Sequence, residues 1–135
     1  MLRIAKTVID GIISHSRKDA PIEACGYCAE SNGIIDAWFP LTNTDGSHEH
    51  FSLDPAEQFA CVKKIRSQGR RLAAVYHSHP ETPSRPSAED IALAADPDIS
   101  YVIVSLANNE STVKSFKIRN SIAVEESIEI TGDII

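Results

Sequence analysis

The amino-acid sequence predicts an α/β fold in which a mixed β-sheet is sandwiched by helices. Three observations carry this expectation. Val8, Ile9, Ile12 and Ile13 recur at i, i+1, i+4 and i+5, which makes one apolar stripe on a helix. Asp54-Pro55-Ala56-Glu57 is a strong helix start, with Asp at the N-cap, Pro at the first helical position and Glu at the third. The run 101–106 is almost wholly apolar, as a buried central strand would be.

The elements follow in order. The first helix covers residues 6–18 and Pro21 ends it. Residues 24–29 read as a short strand, and Gly33 turns the chain into a second strand over 34–40. Residues 42–49 are polar and loop-like. The helix begun at Asp54 runs to about Gln68, where Gly69 stops it. Residues 72–76 form an apolar run of strand length that delivers the chain to His77-Ser78-His79. A loop with Pro80, Pro83 and Pro86 follows, and Ser87-Ala88-Glu89-Asp90 opens a short third helix. After the strand at 101–106, Asn108-Asn109 is a turn, and 113–118 and 123–130 alternate as half-exposed strands. Helix, strands, helix, strand, short helix and strands in that order imply mixed strand directions.

A chain of 135 residues fits one domain, spanning residues 1–135, with a core large enough to need no disulfide framework. The formal net charge is −6 and the basic residues are scattered, which argues against a nucleic-acid surface. Three cysteines, Cys25, Cys28 and Cys61, are a sparse, odd set that fits a reducing compartment. No apolar run is long enough for a signal peptide or a membrane span. The expectation is a soluble, cytoplasmic protein that binds neither membrane nor nucleic acid.

His77 and His79 lie two apart at a strand end, so their side chains share a face and aim at one point. Zinc takes neutral imidazole nitrogens, and such a pair makes half of a tetrahedral site. Taken alone, a His-x-His is as often a surface coincidence as a ligand pair. Ser87 and Asp90 have capping-box spacing, which explains them without any metal. A carboxylate in that first turn can equally face the histidines across the short proline loop. Glu23 alone reads as a solvated carboxylate at a helix-to-strand junction.

Together these residues resemble a family. His77-Ser78-His79, seven residues, Ser87, two residues and Asp90 look like the JAMM motif of the MPN+ zinc metalloproteases. That family also places a glutamate at the start of an upstream strand, where Glu23 stands, with Gly26 three residues on. The likeness runs on through Phe51-Ser52-Leu53-Asp54-Pro55 and covers nearly the whole chain. It implies the MPN/JAMM, cytidine-deaminase-like fold and a zinc ion bound by His77, His79 and Asp90 with water in the fourth position. In the family's pattern Glu23 would move the water proton to the leaving amine, and Ser87 would donate to the oxyanion.

The family cuts peptide or isopeptide bonds, often after the C-terminal glycines of ubiquitin or a ubiquitin-like protein. This short chain looks most like the small stand-alone prokaryotic members, some of which release cysteine or another adduct from a ubiquitin-like sulfur carrier. The resemblance therefore implies such a carrier as the substrate partner, its tail extended along a strand edge. Two other readings compete. RadC-like proteins share a similar pattern but usually carry an N-terminal DNA-associated region, and none is expected for this acidic chain. Non-catalytic MPN scaffolds typically lack the ligands, whereas here all four positions are filled. Exposed strand edges make a homodimer an expectation as well.

Two further motifs remain. Cys25-Gly26-Tyr27-Cys28 invites a redox reading, but residues three apart on a strand face opposite sides, so buried strand thiols are expected. Cys25 shares a face with Glu23. His48 and His50 form a second His-x-His in a polar loop with no third ligand, and read as surface histidines in a loop that could touch substrate. Trp38, Phe39 and Phe59 read as core or partly exposed core.

Overall fold

The computed structural model describes residues 1–132. The chain runs β1 (Leu2–Ala5), α1 (Lys6–Asp19), β2 (Cys25–Ser31), β3 (Ile34–Leu41), α2 (Pro55–Ser67), β4 (Arg71–His79), α3 (Ala88–Leu93), β5 (Ser100–Ser105), β6 (Thr112–Arg119), β7 (Ile122–Glu126) and β8 (Ile128–Thr131). The strands form one sheet in the order β7-β6-β5-β4-β2-β3-β1-β8. β4–β5, β1–β3 and β1–β8 pair in parallel, and the remaining neighbours are antiparallel. The mixed sheet between helices is the architecture the sequence predicts.

Two strand assignments change. β1 was not expected, because four residues are too few to display a period. Its Leu2 and Ile4 are nevertheless buried. The single strand expected at 123–130 is two. β7 pairs with β6 at one end of the sheet, and β8 pairs with β1 at the other. Only Ser127 lies between them, and its carbonyl accepts from Leu2 N at 2.8 Å. The sheet must therefore curl until its two ends meet at that corner.

α1 packs on β1, β3, β4, β5 and β8, within the curl. Its stripe of Val8, Ile9 and Ile12 meets Ile4, Ile35, Tyr76, Val102 and Val104. The chain leaves α1 through a cis Ala20–Pro21 bond. On the other face, Cys61 and Ile65 of α2 pack on Cys25, Tyr27, Ala29 and Leu41. Ile91 of α3 packs on Ile103, Phe116 and Ile118. Strand alternation along β4 thus sends Ala74 and Tyr76 toward α1, while Val75 packs on the α2 side and His77 follows two residues on.

The same alternation separates the thiols: Cys25 lies on the α2 side and Cys28 on the α1 side, both buried and free. Asp54 caps α2 by accepting from Glu57 N at 3.1 Å. Glu57 does not reach back to close a capping box; its carboxylate holds Thr42 N at 2.7 Å and Thr42 Oγ1 at 3.0 Å, tying helix to loop. Phe59, expected in or near the core, is 69% exposed on the outer side of α2. Trp38 and Phe39 are half-buried against the two cores, as expected.

Candidate metal centre

β4 delivers both histidines to one face, as the spacing demands, and α3 brings Asp90 against them. His77 Nε2 and His79 Nε2 are 3.1 Å apart, and each lies 3.1 Å from Asp90 Oδ2. Zinc bonded at about 2.0–2.1 Å in tetrahedral geometry separates its ligands by about 3.3 Å. The triangle is one face of such a tetrahedron, and the donor set of two imidazoles and a carboxylate suits zinc. Three protein ligands leave a fourth position open, the pattern of catalytic rather than structural sites. Among the described residues, this is the group of His, Cys, Asp and Glu whose donor atoms converge.

The surrounding contacts orient the ligands. His79 Nδ1 donates to Pro83 O at 2.8 Å, leaving Nε2 to face the centre. The proline loop therefore supplies an orienting carbonyl. It is pinned to the sheet by Ser84 Oγ donating to Thr112 O at 2.7 Å and Ser105 Oγ donating to Thr82 O at 2.6 Å. His77 stacks on Phe51, with ring centroids 4.8 Å apart and planes at 29°. The loop between Pro80 and Pro86 does not seal the centre: a partly open cavity of about 460 Å³ reaches His77 and Asp90, and of that loop only Pro86 lines it.

Ser87 and Asp90 form the capping box, and that leaves Asp90 able to face the histidines at the same time. Ser87 Oγ accepts from Asp90 N at 3.0 Å, and Ser87 N donates to Asp90 Oδ2 at 2.9 Å. The Asp90 oxygen that completes the capping box is the one that faces both imidazoles. Burial would raise the Asp90 carboxyl, but its bonds to His77, His79 and Ser87 N outweigh this and hold it well below the carboxylate range. Burial opposes the charged form of His79, while Asp90 and the Pro83 carbonyl favour it and leave its pKa raised.

Glu23 sits just before β2 and is 3% exposed, not the solvated carboxylate that its sequence position alone suggests. Its Oε1 is buried with no hydrogen-bond partner. Burial pushes its carboxyl up to about 7, with Asp90 adding to the rise and His79 opposing it. A buried carboxylate oxygen left without a partner is rare in a folded protein, and this one lies near the three converged donor atoms, whose His79 and Asp90 act on it electrostatically.

Sequence reasoning missed several supports. Ser78, between the two histidines, receives Ala24 N on its Oγ at 2.8 Å and donates its own N to Ala24 O at 3.0 Å, fixing the residue beside Glu23. Phe51 carries a packing role visible only in three dimensions. His48 is exposed, as expected. His50 keeps its side chain partly exposed, as expected, and also lines the cavity, its Nδ1 held by Asp45 Oδ2 at 3.0 Å. Cys25 lies opposite His77 in the strand register, but burial raises its thiol to about 12, and Cys28 likewise. The strand edge expected beside the ligands is missing, because β4 is flanked by β2 and β5.

Residues 5–119 match the family of prokaryotic homologues of the JAB domain. The chain belongs to this family. It is 30% identical over 133 residues to the CysO-cysteine peptidase of Mycobacterium tuberculosis, covering 96% of this chain and 91% of that one. It is 33% identical over 135 residues to the desampylase of Haloferax volcanii, covering 92% and 96%. A solution structure of a Desulfitobacterium hafniense protein superposes with a TM-score of 0.90 at 40% identity, covering 99% and 95%. The fold and motif are those of the JAMM/MPN+ proteins, and the class is that of a hydrolytic peptidase. Among the described residues, no helix is long and apolar enough to cross a membrane.

Proposed function

We propose that this chain is a zinc-dependent peptidase or isopeptidase that cleaves the amide bond after the C-terminal glycines of a ubiquitin-like sulfur carrier. The observation that supports it most is the 3.1 Å triangle of His77, His79 and Asp90 beside the buried, unpartnered carboxylate of Glu23. His77, His79 and Asp90 would hold the zinc, which supplies Lewis acidity and a water of lowered pKa. Glu23, with its carboxyl near 7, takes a proton from the attacking water and returns it to the leaving amine. Ser87 spends its oxygen on Asp90 N and keeps its O–H free to donate to the oxyanion.

The carrier is the finer part of the reading. It rests on relatives that act on CysO-cysteine and on sampylated proteins, each over nine-tenths or more of this chain. The 460 Å³ cavity offers an extended tail the apolar walls of Phe51, Leu53, Val75 and Ile103 in place of a free strand edge. The test mixes the zinc-loaded protein with a carrier bearing a C-terminal extension and follows the mass of both products. Cleavage after the glycines, lost in Glu23→Gln with zinc still bound, is expected. An intact extension on every candidate carrier overturns the substrate assignment, and protein that cannot be loaded with zinc overturns the hydrolase reading. A non-catalytic scaffold has no need of three converged ligand atoms and an orphaned carboxylate.

A further inference from the structure

We infer that Asn43 is a positioning residue that holds the Glu23 side of the centre and the Phe51 side in one frame; this rests on the peptidase reading above. Asn43 lies half-buried in the polar loop between β3 and α2. Its Nδ2 donates to His50 O at 3.0 Å and Glu23 O at 3.1 Å, with a longer contact of 3.4 Å to Ser47 O. Its Oδ1 accepts from Asp45 N at 3.1 Å and Ser52 N at 3.2 Å. One side-chain amide thus uses its donor and acceptor ends on backbone groups from two separate parts of the chain.

The partners are not arbitrary. Glu23 N donates to Ser47 O at 2.9 Å, so the loop grips Glu23 through both its backbone groups. His50 and Ser52 flank Phe51, and Asn43 bonds both of them, fixing the ring that stacks on His77. Asp45, held by its N, in turn binds the His50 ring and Ser52 Oγ. Glu23 has no hydrogen bond on its buried Oε1 to steer that atom, so the backbone bonds at Glu23 N and O fix the main-chain position from which the side chain reaches the centre. Displacement of a reacting group by about 1 Å can cost about a hundredfold in rate.

Asparagine is needed for chemical reasons. Aspartate keeps the acceptor for Asp45 N and Ser52 N but turns a carboxylate toward three carbonyl oxygens. Alanine removes both ends.

The test compares Asn43→Ala and Asn43→Asp with the parent protein, zinc-loaded for kinetics and metal-free for amide exchange. On the carrier substrate, kcat is expected to fall at least about tenfold, with KM within about threefold and one zinc still bound. In metal-free protein, the amides of Glu23 and Ser52 should exchange at least about tenfold faster, while those of Val102 and Ile103 in β5 hold within about twofold. A kcat within about threefold of the parent overturns the inference. So does unchanged exchange at Glu23, a uniform rise across the protein, or failure of both variants to fold. A parent protein that cleaves nothing defeats the peptidase reading instead, and the exchange arm still decides whether Asn43 holds Glu23.

Discussion

Replacing Glu23 by glutamine should stabilise the metal-free protein, and only above a certain pH. In the unfolded chain the Glu23 carboxyl titrates near its ordinary 4.5; in the fold, burial lifts it to about 7. Below pH 4.5 it is protonated in both states and costs nothing. Between 4.5 and about 7 the folded state binds the extra proton, so stability falls as pH rises through this window. Above about 7 the carboxylate is ionised in both states, and the whole penalty of burying it stands. A span from 4.5 to about 7, at about 1.4 kcal/mol per pH unit, corresponds to about 3–4 kcal/mol. Glutamine has nearly the same shape and no charge to desolvate. Denaturant melts of both proteins in chelator, from pH 4 to pH 8, read the difference directly. The variant should match the parent near pH 4 and exceed it by up to about 3–4 kcal/mol near pH 8. Zinc should shrink the gap, because a cation beside the carboxylate favours its ionised form. A variant that is less stable at pH 8, or equally shifted at every pH, would refute the claim that Glu23 is held in place against its own solvation.

Other consequences follow from single contacts. Gly26→Ala puts a Cβ 2.4 Å from Phe39 O and 2.5 Å from the Tyr76 ring, so a loss of about 1–3 kcal/mol is expected in the thermal or denaturant midpoint. Phe51→Leu removes the stacked ring from His77 and should weaken zinc binding about tenfold in a competitive chelator titration, with the fold intact by circular dichroism. Cys25 and Cys28, buried with thiols near 12, should resist a disulfide reagent in native protein at pH 8 and react at once in denaturant. Rapid labelling of either in the native state would contradict their burial.

Much of this was legible in the sequence, and what was not has physical causes. The α1 stripe, the Asp54 helix start and the apolar run of β5 announced themselves because period and capping are local properties. β1 and the break between β7 and β8 were not, because four-residue strands show no period and their identity comes from pairing partners far along the chain. Strand alternation made it legible that His77 and His79 share a face, but that Asp90 joins them was legible only through the family likeness, since its spacing from Ser87 reads equally as a cap. Glu23 was readable only through the family likeness: its burial comes from the 42–52 loop folding over it, which no pattern in 21–26 reveals. Phe51 and Asn43 look like ordinary loop residues until their partners are known.

The double use of Asp90 Oδ2 shows how the three donor atoms of the candidate centre are brought together by the fold itself. Its capping bond from Ser87 N is made by local backbone geometry at the start of α3, and that bond fixes which oxygen faces the histidines. The His79 ring is aimed separately, by Pro83 O, and the His77 ring by Phe51. Three independent devices therefore hold three donor atoms in place, each belonging to a different stretch of chain. Preorganisation of this kind lowers the ordering cost of binding. Ser87→Ala keeps the backbone bond to Asp90 Oδ2 but acts twice through the hydroxyl, removing the group proposed for the oxyanion and the acceptor for Asp90 N, which weakens the start of α3 by about 1 kcal/mol. Zinc affinity reads the capping contribution and kcat at saturating zinc reads the hydroxyl, so alanine should lose kcat with zinc fully bound while Ser87→Thr, which keeps a hydroxyl, retains both.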